Sequence, residues 1–297
     1  MTASRVPYIL IRSLGAFAGV TMLIMGYVYG VSEWRMRRIY DAPLTSLHPQ
    51  AAVDEAEGKR MAKIIGCWAG CHGPEGEGGV EFIKGIHRNT APTLSQVLPL
   101  YSDEALVRLI RYGVKRDGRS AIGMISYTFW PLGDQDLTNI IAYLRAQRVR
   151  PPVPRKHELE FRGRVALTTG AWKVSAEQVD RSIPRWGELP RNTAFERGRY
   201  LASITCSECH GLDFRGNELE GGPSLAILAL YQPDQFRHLM RTGKPIDGRN
   251  IDEYMGWLAK VDLTDRDIED LYTFLRAYHG LGTAPTSAFS GSALGSQ

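Results

Sequence analysis

Cys67-Trp-Ala-Gly-Cys71-His72 and Cys206-Ser-Glu-Cys209-His210 are the two stretches of sequence around which this chain is organised. Each places two cysteines just before a histidine, and the first has one more residue between its cysteines than the second. The chain has 4 cysteines in all, so the two motifs together use every thiol. No cysteine is left over for a structural disulfide.

Three kinds of site fit these motifs. A Cys-x-x-Cys pair is typical of thioredoxin-like redox proteins when it lies beside a βαβ pattern, but this sequence shows no such pattern. Two Cys/His clusters can also share a tetrahedral zinc ion. Cys-x-x-Cys-His is, thirdly, the attachment signature of c-type haem, in which the thiols bond to the haem and the histidine ligates iron. A methionine downstream of each histidine favours haem, because a thioether is a common haem ligand and a poor zinc ligand.

Charge and length limit the other possibilities. At 297 residues the chain is long enough for two ordinary domains. Residues 1–40 contain five arginines and one acid, Glu33. Without these, the 36 basic and 32 acidic side chains of the chain reduce to 31 of each. The remainder is neutral, so no binding of nucleic acid is expected.

The arginines flank an apolar segment. Residues 14–31 (LGAFAGVTMLIMGYVYGV) are 18 residues without a charge. Together with residues 8–11 they are long enough to cross a hydrocarbon core of about 30 Å. A cleavable signal peptide would have a shorter apolar core and a small-x-small cleavage site, and residues 32–43 contain no such site. The sequence therefore predicts a single-pass anchor in the lipid bilayer, with residues 1–40 as the N-terminus, span and juxtamembrane segment.

The rest of the chain contains an internal repeat. RLIRYGVKRDGRS (residues 108–120) aligns with HLMRTGKPIDGRN (residues 238–250) at a lag of 130. Matches upstream and downstream continue at a lag of 131, while the motif histidines are 138 apart. Each copy has helical periodicity. Helices are predicted over residues 57–66, 102–112, 134–147, 157–169, 196–205, 233–242 and 264–278. No strand-like alternation of any length is present, so the predicted class is all-α.

These patterns define the expected domains. The first copy covers residues 50–149 and the second covers residues 193–280. Between them, residues 150–192 open with Arg-Pro-Pro-Val-Pro, which favours extended structure and a domain boundary. The small, polar tail of residues 281–297 is expected to be disordered.

With these features together, the chain resembles class I cytochromes c in two tandem copies. The resemblance rests on a haem motif at the end of a first helix, a proline loop, and a methionine before a last helix that ends in aromatic-Leu-Arg. It implies that the first and last helices of each copy cross, with Gly58 against Tyr143 and Gly198 against Phe274. It also implies two covalently bound haems c, attached at Cys67 and Cys71 and at Cys206 and Cys209. Pro92 and Pro223 would accept the Nδ1–H hydrogen bonds of the histidine ligands.

The axial ligands follow from the resemblance. His72 and Met124, which lies 52 residues further on, would ligate the first iron, with His87 as the alternative to Met124. His210 and Met255 would ligate the second, because Met240 aligns with a helical core position. The sequence around Met255, Glu-Tyr-Met-Gly, departs from the usual Met-Pro of the family.

Other parts of the two sites have more than one interpretation. The three-residue spacer allows either both thioether bonds or attachment through Cys71 alone. Arg119 and Arg249 are candidates to pair with haem propionates, the alternative being exposed side chains. Three aromatic residues, Tyr127, Phe129 and Trp130, are expected to wall the first haem.

The resemblance also implies a function and an orientation. Haem with two strong axial ligands passes single electrons, so we expect electron transfer and no catalysis by this chain alone. The partners would be membrane redox subunits, belonging to an oxidase, a quinol-oxidising complex or a periplasmic dehydrogenase; a dihaem peroxidase is the alternative from another class. Two arginines precede the span and three follow it, which weakly favours an outward N-terminus. Haem attachment outside the cytoplasm outweighs this, and places the domains in the bacterial periplasm on the inner membrane.

Overall fold

Helices dominate the computed structural model of this chain, which describes residues 6–67, 71–79, 81–82, 87–154, 157–217, 221–249, 251, 255 and 261–281. The predicted all-α class is confirmed. The spacer of residues 68–70, the residues on either side of Met255 and the tail from residue 282 lie outside the described residues. The helices are α1 (Val6–Arg37), α2 (Glu55–Ile64), α3 (Leu94–Val97), α4 (Asp103–Tyr112), α5 (Ser126–Phe129), α6 (Asp134–Arg145), α7 (Phe161–Thr169), α8 (Ser175–Gln178), α9 (Ala194–Thr205), α10 (Ser207–His210), α11 (Pro233–Thr242) and α12 (Asp265–Tyr278).

Helix α1 contains the apolar segment. From Ile11 to Arg37 it is long and apolar enough to cross a membrane, a property that a signal sequence near the N-terminus shares. Its side chains are largely exposed as far as Tyr27 (66% exposed), whereas Val28 is 7% exposed. The rest of the protein therefore begins to cover this helix at Val28.

In both copies of the repeat the first helix crosses the last at a glycine. A Cβ atom on Gly58 of α2 would lie 2.0 Å from the carbonyl oxygen of Asn139 in α6 and 3.1 Å from Cβ of Tyr143. A Cβ atom on Gly198 of α9 would lie 1.9 Å from the carbonyl oxygen of Asp270 in α12. Only glycine lets the helix backbones approach so closely, and the contacts pair the residues that the resemblance indicated.

Side chains cap the starts of several helices. Asp54 accepts a hydrogen bond from the amide of Glu57 at the start of α2. Thr193 and Thr264 each form a capping box, at the starts of α9 and α12. These bonds satisfy backbone donors that have no partner inside the helix.

An arginine in each copy connects the amphipathic helix to the start of the last helix. In the first copy, Arg111 of α4 donates to Asp134 at 2.7 Å and to the carbonyl oxygen of Leu132 at 2.8 Å. In the second, Arg241 of α11 donates to Asp265 at 2.7 Å. The guanidinium of Arg111 is buried, and Glu188 of the linker lies 3.6 Å away.

A small antiparallel sheet departs from the all-helical expectation. Its strands are β1 (Glu81–Phe82), β2 (His87–Thr90) and β3 (His157–Leu159), in the order β1-β2-β3. The helix predicted over residues 157–169 is therefore wrong in its first part, since α7 begins at Phe161. Residues 157–159 pair with Asn89, Arg88 and His87 instead, a long-range pairing that local periodicity does not reveal.

The segment between the copies is packed against both of them. Trp130 donates through Nε1 to the carbonyl oxygen of Ile183 at 2.7 Å, and Glu188 accepts from the amide of Asp134 at 2.6 Å. Gly187 lies against Gly133, where a Cβ atom would be 2.1 Å from the Gly133 amide nitrogen. Arg199 of α9 stacks over the ring of Trp186 at 4.2 Å. This linker is a structural part of the boundary between the two copies.

Candidate functional site

A cavity of about 550 Å³ lies in the first copy of the repeat, beside the first cysteine motif. Its wall brings together Cys67, Cys71 and His72 with Met124, which the chain supplies from a separate loop. Most of the remaining wall is apolar and comes from Ala91, Leu94, Leu98, Leu106, Ile110 and Phe129. An apolar cavity with a few converging ligand atoms is typical of a cofactor site.

The histidine of the first motif is held by a backbone carbonyl. Nδ1 of His72 lies 2.9 Å from the carbonyl oxygen of Pro92. Because a carbonyl oxygen only accepts hydrogen bonds, Nδ1 carries the proton and Nε2 keeps its lone pair. The amide of Gly78 in turn donates to the carbonyl oxygen of His72 at 2.8 Å. The imidazole is therefore fixed in the tautomer that a metal ligand needs.

The second copy repeats this arrangement. Nδ1 of His210 lies 2.7 Å from the carbonyl oxygen of Pro223, and the amide of Gly216 donates to the carbonyl oxygen of His210 at 2.9 Å. A Cβ atom on Gly222 would lie 1.9 Å from the carbonyl oxygen of Cys209. The proline loop is thus pressed directly against the cysteine motif.

The two motifs differ in the backbone that leads into them. Helix α2 ends at Ile64, and Gly66 then adopts a left-handed conformation with φ of 72° before Cys67. In the second copy α9 runs to Thr205, and α10 follows directly to His210. The first motif therefore begins outside its helix, and this gives its longer spacer a different starting point.

Burial determines the protonation of these groups. It raises the pKa of the Cys67 thiol to about 12, with a smaller contribution from Cys71. It raises the pKa of Cys71 to about 12, with a contribution from the charge of Glu208, and that of Cys206 to about 11. Burial also lowers the pKa values of His72 and His210, against the opposing effect of their hydrogen bonds. Both imidazoles are neutral at pH 7 and can bind a metal.

The candidate ligands Met124 and Met255 are less buried than Met240. Met124 and Met255 are partly buried and pack against the core, whereas Met240 is buried in α11 at 5% exposure. The side chain of His87, the alternative to Met124, lies outside the described residues. The described residues also contain no cluster of three or more His, Cys, Asp or Glu that could hold a metal ion, which gives the shared-zinc alternative no support.

Both predicted propionate partners form ion pairs with neighbouring aspartates. Arg119 forms an ion pair with Asp117 at 3.3 Å, Arg249 forms one with Asp247 at 2.6 Å, and neither arginine is buried. Arg119 is not among the residues that line the first cavity. Of the three aromatic residues expected around it, Phe129 lines the cavity, whereas Trp130 bonds to the linker.

Lys115 and Arg116 do line the first cavity, and sequence reasoning had assigned them no role. The signal that would have found them is a difference between the copies. At a lag of 130, Lys115-Arg116 corresponds to Pro245-Ile246, inside a segment that otherwise matches well.

Similarity to known protein families identifies the two sites. Residues 55–148 match the family described as cytochrome c, and residues 193–275 match cytochrome c oxidase, cbb3-type, subunit III. The chain carries two tandem cytochrome c domains. Such domains bind haem c covalently, so the chain is an electron-transfer cytochrome.

Two relatives illustrate the range of similarity. Over 220 residues the cytochrome is 26% identical to the fructose dehydrogenase cytochrome subunit of Gluconobacter japonicus, a match that covers 64% of this chain and 43% of that protein. The chain therefore spans less than half the length of the curated relative that it matches. Reduced recombinant cytochrome c4 from Pseudomonas stutzeri is 18% identical, with 76% of this chain and 98% of that chain covered and a TM-score of 0.23.

The residues of the first cytochrome c domain fit a haem. The cavity has the volume of a small-molecule site, about 300–1,000 Å³. Its two thiols, buried at Cys67 and partly buried at Cys71, lie beside a histidine whose Nε2 is unprotonated. In the second domain the same histidine geometry and a partly buried Met255 are present among the described residues.

Proposed function

We propose that this protein is a membrane-tethered cytochrome that holds two covalently attached haems c and passes single electrons as a subunit of a dehydrogenase complex. The observation that carries this is the repetition of one arrangement: in each domain a proline carbonyl holds Nδ1 of the motif histidine at 2.7–2.9 Å and leaves Nε2 unprotonated. Because both domains share it, both are expected to hold haem.

Each residue of the sites then has a role. Cys67 and Cys71 would form thioether bonds in the first domain, and Cys206 and Cys209 in the second. His72 and Met124 would ligate one iron, and His210 and Met255 the other. When bound, haem supplies an iron that takes up and releases one electron. The chain would contribute two strong donors to each site and, in the first domain, a largely apolar wall. Iron held in this way would have no open position for substrate, which argues against a peroxidase.

A dehydrogenase is the partner that the similarity favours. The match to the cytochrome subunit of fructose dehydrogenase extends over 220 residues, whereas the match to the oxidase subunit covers residues 193–275 and so one domain only. Since the chain spans 43% of that relative, the sugar that the relative's name contains is not transferred to this protein.

Membrane attachment belongs to the same proposal. Helix α1 has the length and composition of a membrane span, and its side chains between Ile11 and Tyr27 are almost all exposed. Thioether attachment of haem takes place outside the cytoplasm, so the two domains would face the periplasm. Tethering would keep them at high effective concentration beside other membrane subunits.

Purification from native membranes in mild detergent tests the proposal. We expect an intact mass that includes two haems and α1, together with a co-purifying dehydrogenase subunit. A mass with one haem would contradict the dihaem assignment. Co-purification of a haem–copper oxidase subunit instead would replace the dehydrogenase as partner, and recovery of a processed chain in the soluble fraction would refute the tether.

A further inference from the structure

The loop of residues 115–119, hereafter the cavity loop, is bonded directly to the segment that follows the membrane helix. The amide of Tyr40 donates to the carbonyl oxygen of Gly118 at 2.9 Å, and Ile39 pairs with Arg119 as an antiparallel bridge. Residues 115–117 of the same loop line the first haem cavity. This part of the cavity wall is therefore bonded to residues that lie only two or three positions after the end of α1.

A second connection joins the same two regions through α8. The hydroxyl of Tyr40 donates to Glu177 at 2.8 Å, and Arg35 lies 3.8 Å from the same carboxylate. The amide of Ala176 donates to the hydroxyl of Ser120 at 2.9 Å, and Ser120 lines the cavity. Two sets of contacts, which share Tyr40, thus hold the cavity wall against the juxtamembrane segment.

The linker also fixes the direction in which α1 leaves the protein. Arg164 of α7 stacks over the ring of Tyr29 at 4.5 Å and donates to Ser32 at 2.9 Å. Thr168 donates to the carbonyl oxygen of Val28 at 3.2 Å. Because these contacts begin inside the apolar run, the domains would be held close to the bilayer and not on a free tether.

Helix geometry limits the distance between the cavity loop and the lipid. Val28 is the first residue of α1 that the rest of the protein buries, so the lipid-exposed part ends at Tyr27, and Arg37 is the last residue of α1. At 1.5 Å per residue Tyr27 and Arg37 are separated by about 15 Å along the axis. The headgroup layer adds about 5–8 Å on each side of the hydrocarbon core, and charges act over about 8–10 Å at physiological ionic strength. The cavity loop, bonded at residues 39 and 40, falls within that range.

The charge of the loop suits this position. Arg116 is exposed and Lys115 is half-buried, and both lie on the first cavity wall. Asp117 lies on the same wall, 3.9 Å from Lys115 and 3.3 Å from Arg119, so the loop keeps a net positive charge. In the second domain Pro245 and Ile246 correspond to Lys115 and Arg116, and Ile246 is 47% exposed. The basic pair is thus present only in the domain that is bonded to the juxtamembrane segment.

We infer that the cavity loop rests on the membrane surface, where Lys115 and Arg116 contact acidic lipid headgroups, and that the first haem site opens towards the bilayer. This inference rests on the proposed membrane tether. The described bonds of the segment after α1 come from the first domain and from the linker, and on this ground the second site is placed further from the lipid. The first site would then exchange electrons with a partner embedded in the membrane.

Spin labels at matched positions test the inference. Arg116→Cys and its repeat counterpart Ile246→Cys are labelled with a nitroxide in the full-length, haem-loaded and reduced protein, with the unsubstituted protein as background. The protein is reconstituted in phosphatidylglycerol-containing vesicles that carry a few per cent of a lipid with a gadolinium-chelate headgroup. We expect relaxation of the label at residue 116 to be enhanced several-fold more than at residue 246.

The other outcomes separate this inference from the tether. Equal enhancement at both positions, or more at residue 246, in protein that stays with the vesicles through a carbonate wash would overturn the orientation and leave the tether standing. Loss of the protein in the wash would refute the tether and the inference with it. Enhancement at residue 116 that persists at the same level without anionic lipid would refute the headgroup contact. If the label at residue 116 were shielded from relaxation in native membranes but not in vesicles, the loop would contact a membrane protein and not lipid headgroups.

Discussion

Tyr200 of the second domain donates a hydrogen bond of 2.7 Å to Asp136 of the first, and both side chains are buried. The reciprocal contact is also present, since Arg60 of the first domain donates to Asp267 of the second at 2.8 Å. Tyr200 and Arg60 each stand two residues after the glycine of their helix crossing, and the two aspartates are 131 residues apart. The first and last helices of the domains therefore meet with approximate two-fold symmetry.

Replacement of Tyr200 by phenylalanine is expected to weaken this boundary moderately. Arg191 still binds Asp136 at 2.9 Å, so the buried carboxylate keeps one partner. Loss of the hydroxyl should cost about 1.5–3 kcal/mol of unfolding free energy, as for a hydrogen bond to a charged group. Thermal unfolding of the haem-loaded protein, followed for both domains, should show two transitions that separate further than in the unsubstituted protein.

Tyr272→Phe is the matched control for Tyr200→Phe. Its hydroxyl donates to the carbonyl oxygen of Tyr231 at 2.8 Å, a contact inside the second domain. This variant should lower only the transition of that domain. If Tyr200→Phe also affected the second domain alone, the contact would not couple the domains.

The repeated arginine–aspartate pair predicts unequal effects of one substitution in the two domains. Asp134→Asn removes the partner of Arg111, whose side chain is 1% exposed, and should cost about 3 kcal/mol, the usual lower end for a broken buried pair. Glu188 at 3.6 Å limits the loss. Asp265→Asn leaves Arg241, which is 40% exposed, and should change stability far less. Denaturant unfolding of the two variants compares them directly, and equal losses would contradict the role of burial.

The same aspartate predicts part of the acid sensitivity. Burial acts to raise the pKa of Asp134, but hydrogen bonds from the amide of His48 and from Arg111 outweigh it, and the pKa is lowered from 3.8. A carboxyl with a lowered pKa stabilises the fold above its unfolded pKa, and this contribution disappears as pH falls through the folded pKa. Acid unfolding curves of Asp134→Asn should therefore be flatter below about pH 4 than those of the unsubstituted protein. An unchanged slope would show that other carboxyls control acid unfolding.

The helices and their crossings were predictable because the repeat contains their signals twice. Gly58 and Gly198 each lie in a short helix that leads to a cysteine motif, and Thr264 caps the start of α12. Periodicity and capping act over a few residues, so they are visible in the sequence.

Contacts between distant parts of the chain were not predictable in this way. Nothing local indicates that Glu188 would accept a hydrogen bond from Asp134, 54 residues earlier, or that Tyr40 would bond to Glu177. Strands of two to four residues likewise carry too few positions for alternation to show. The arginines after the span illustrate the consequence: Arg35 and Arg38 lie within ion-pair distance of Glu177, a structural role that a count of charges misses.

The choice of methionine ligands gives the sharpest test of the proposed sites. Met124→Leu and Met255→Leu nearly conserve volume, so stability should change by less than about 1.5 kcal/mol. Each should lower the reduction potential of one haem by on the order of 0.1 V, because a thioether favours ferrous iron and axial ligands tune haem over about 0.8 V. Each should also let cyanide bind that ferric haem.

Met240→Leu is the control for both, since Met240 is buried in α11 as a core residue. Potentiometric titration and cyanide binding of this variant should match the unsubstituted protein. The opposite result, with Met240→Leu exposing a haem and Met255→Leu without effect, would move the second ligand onto α11. The histidine ring held by Pro223 would then face a helix and not the loop before α12, and the two domains would no longer be built alike around iron.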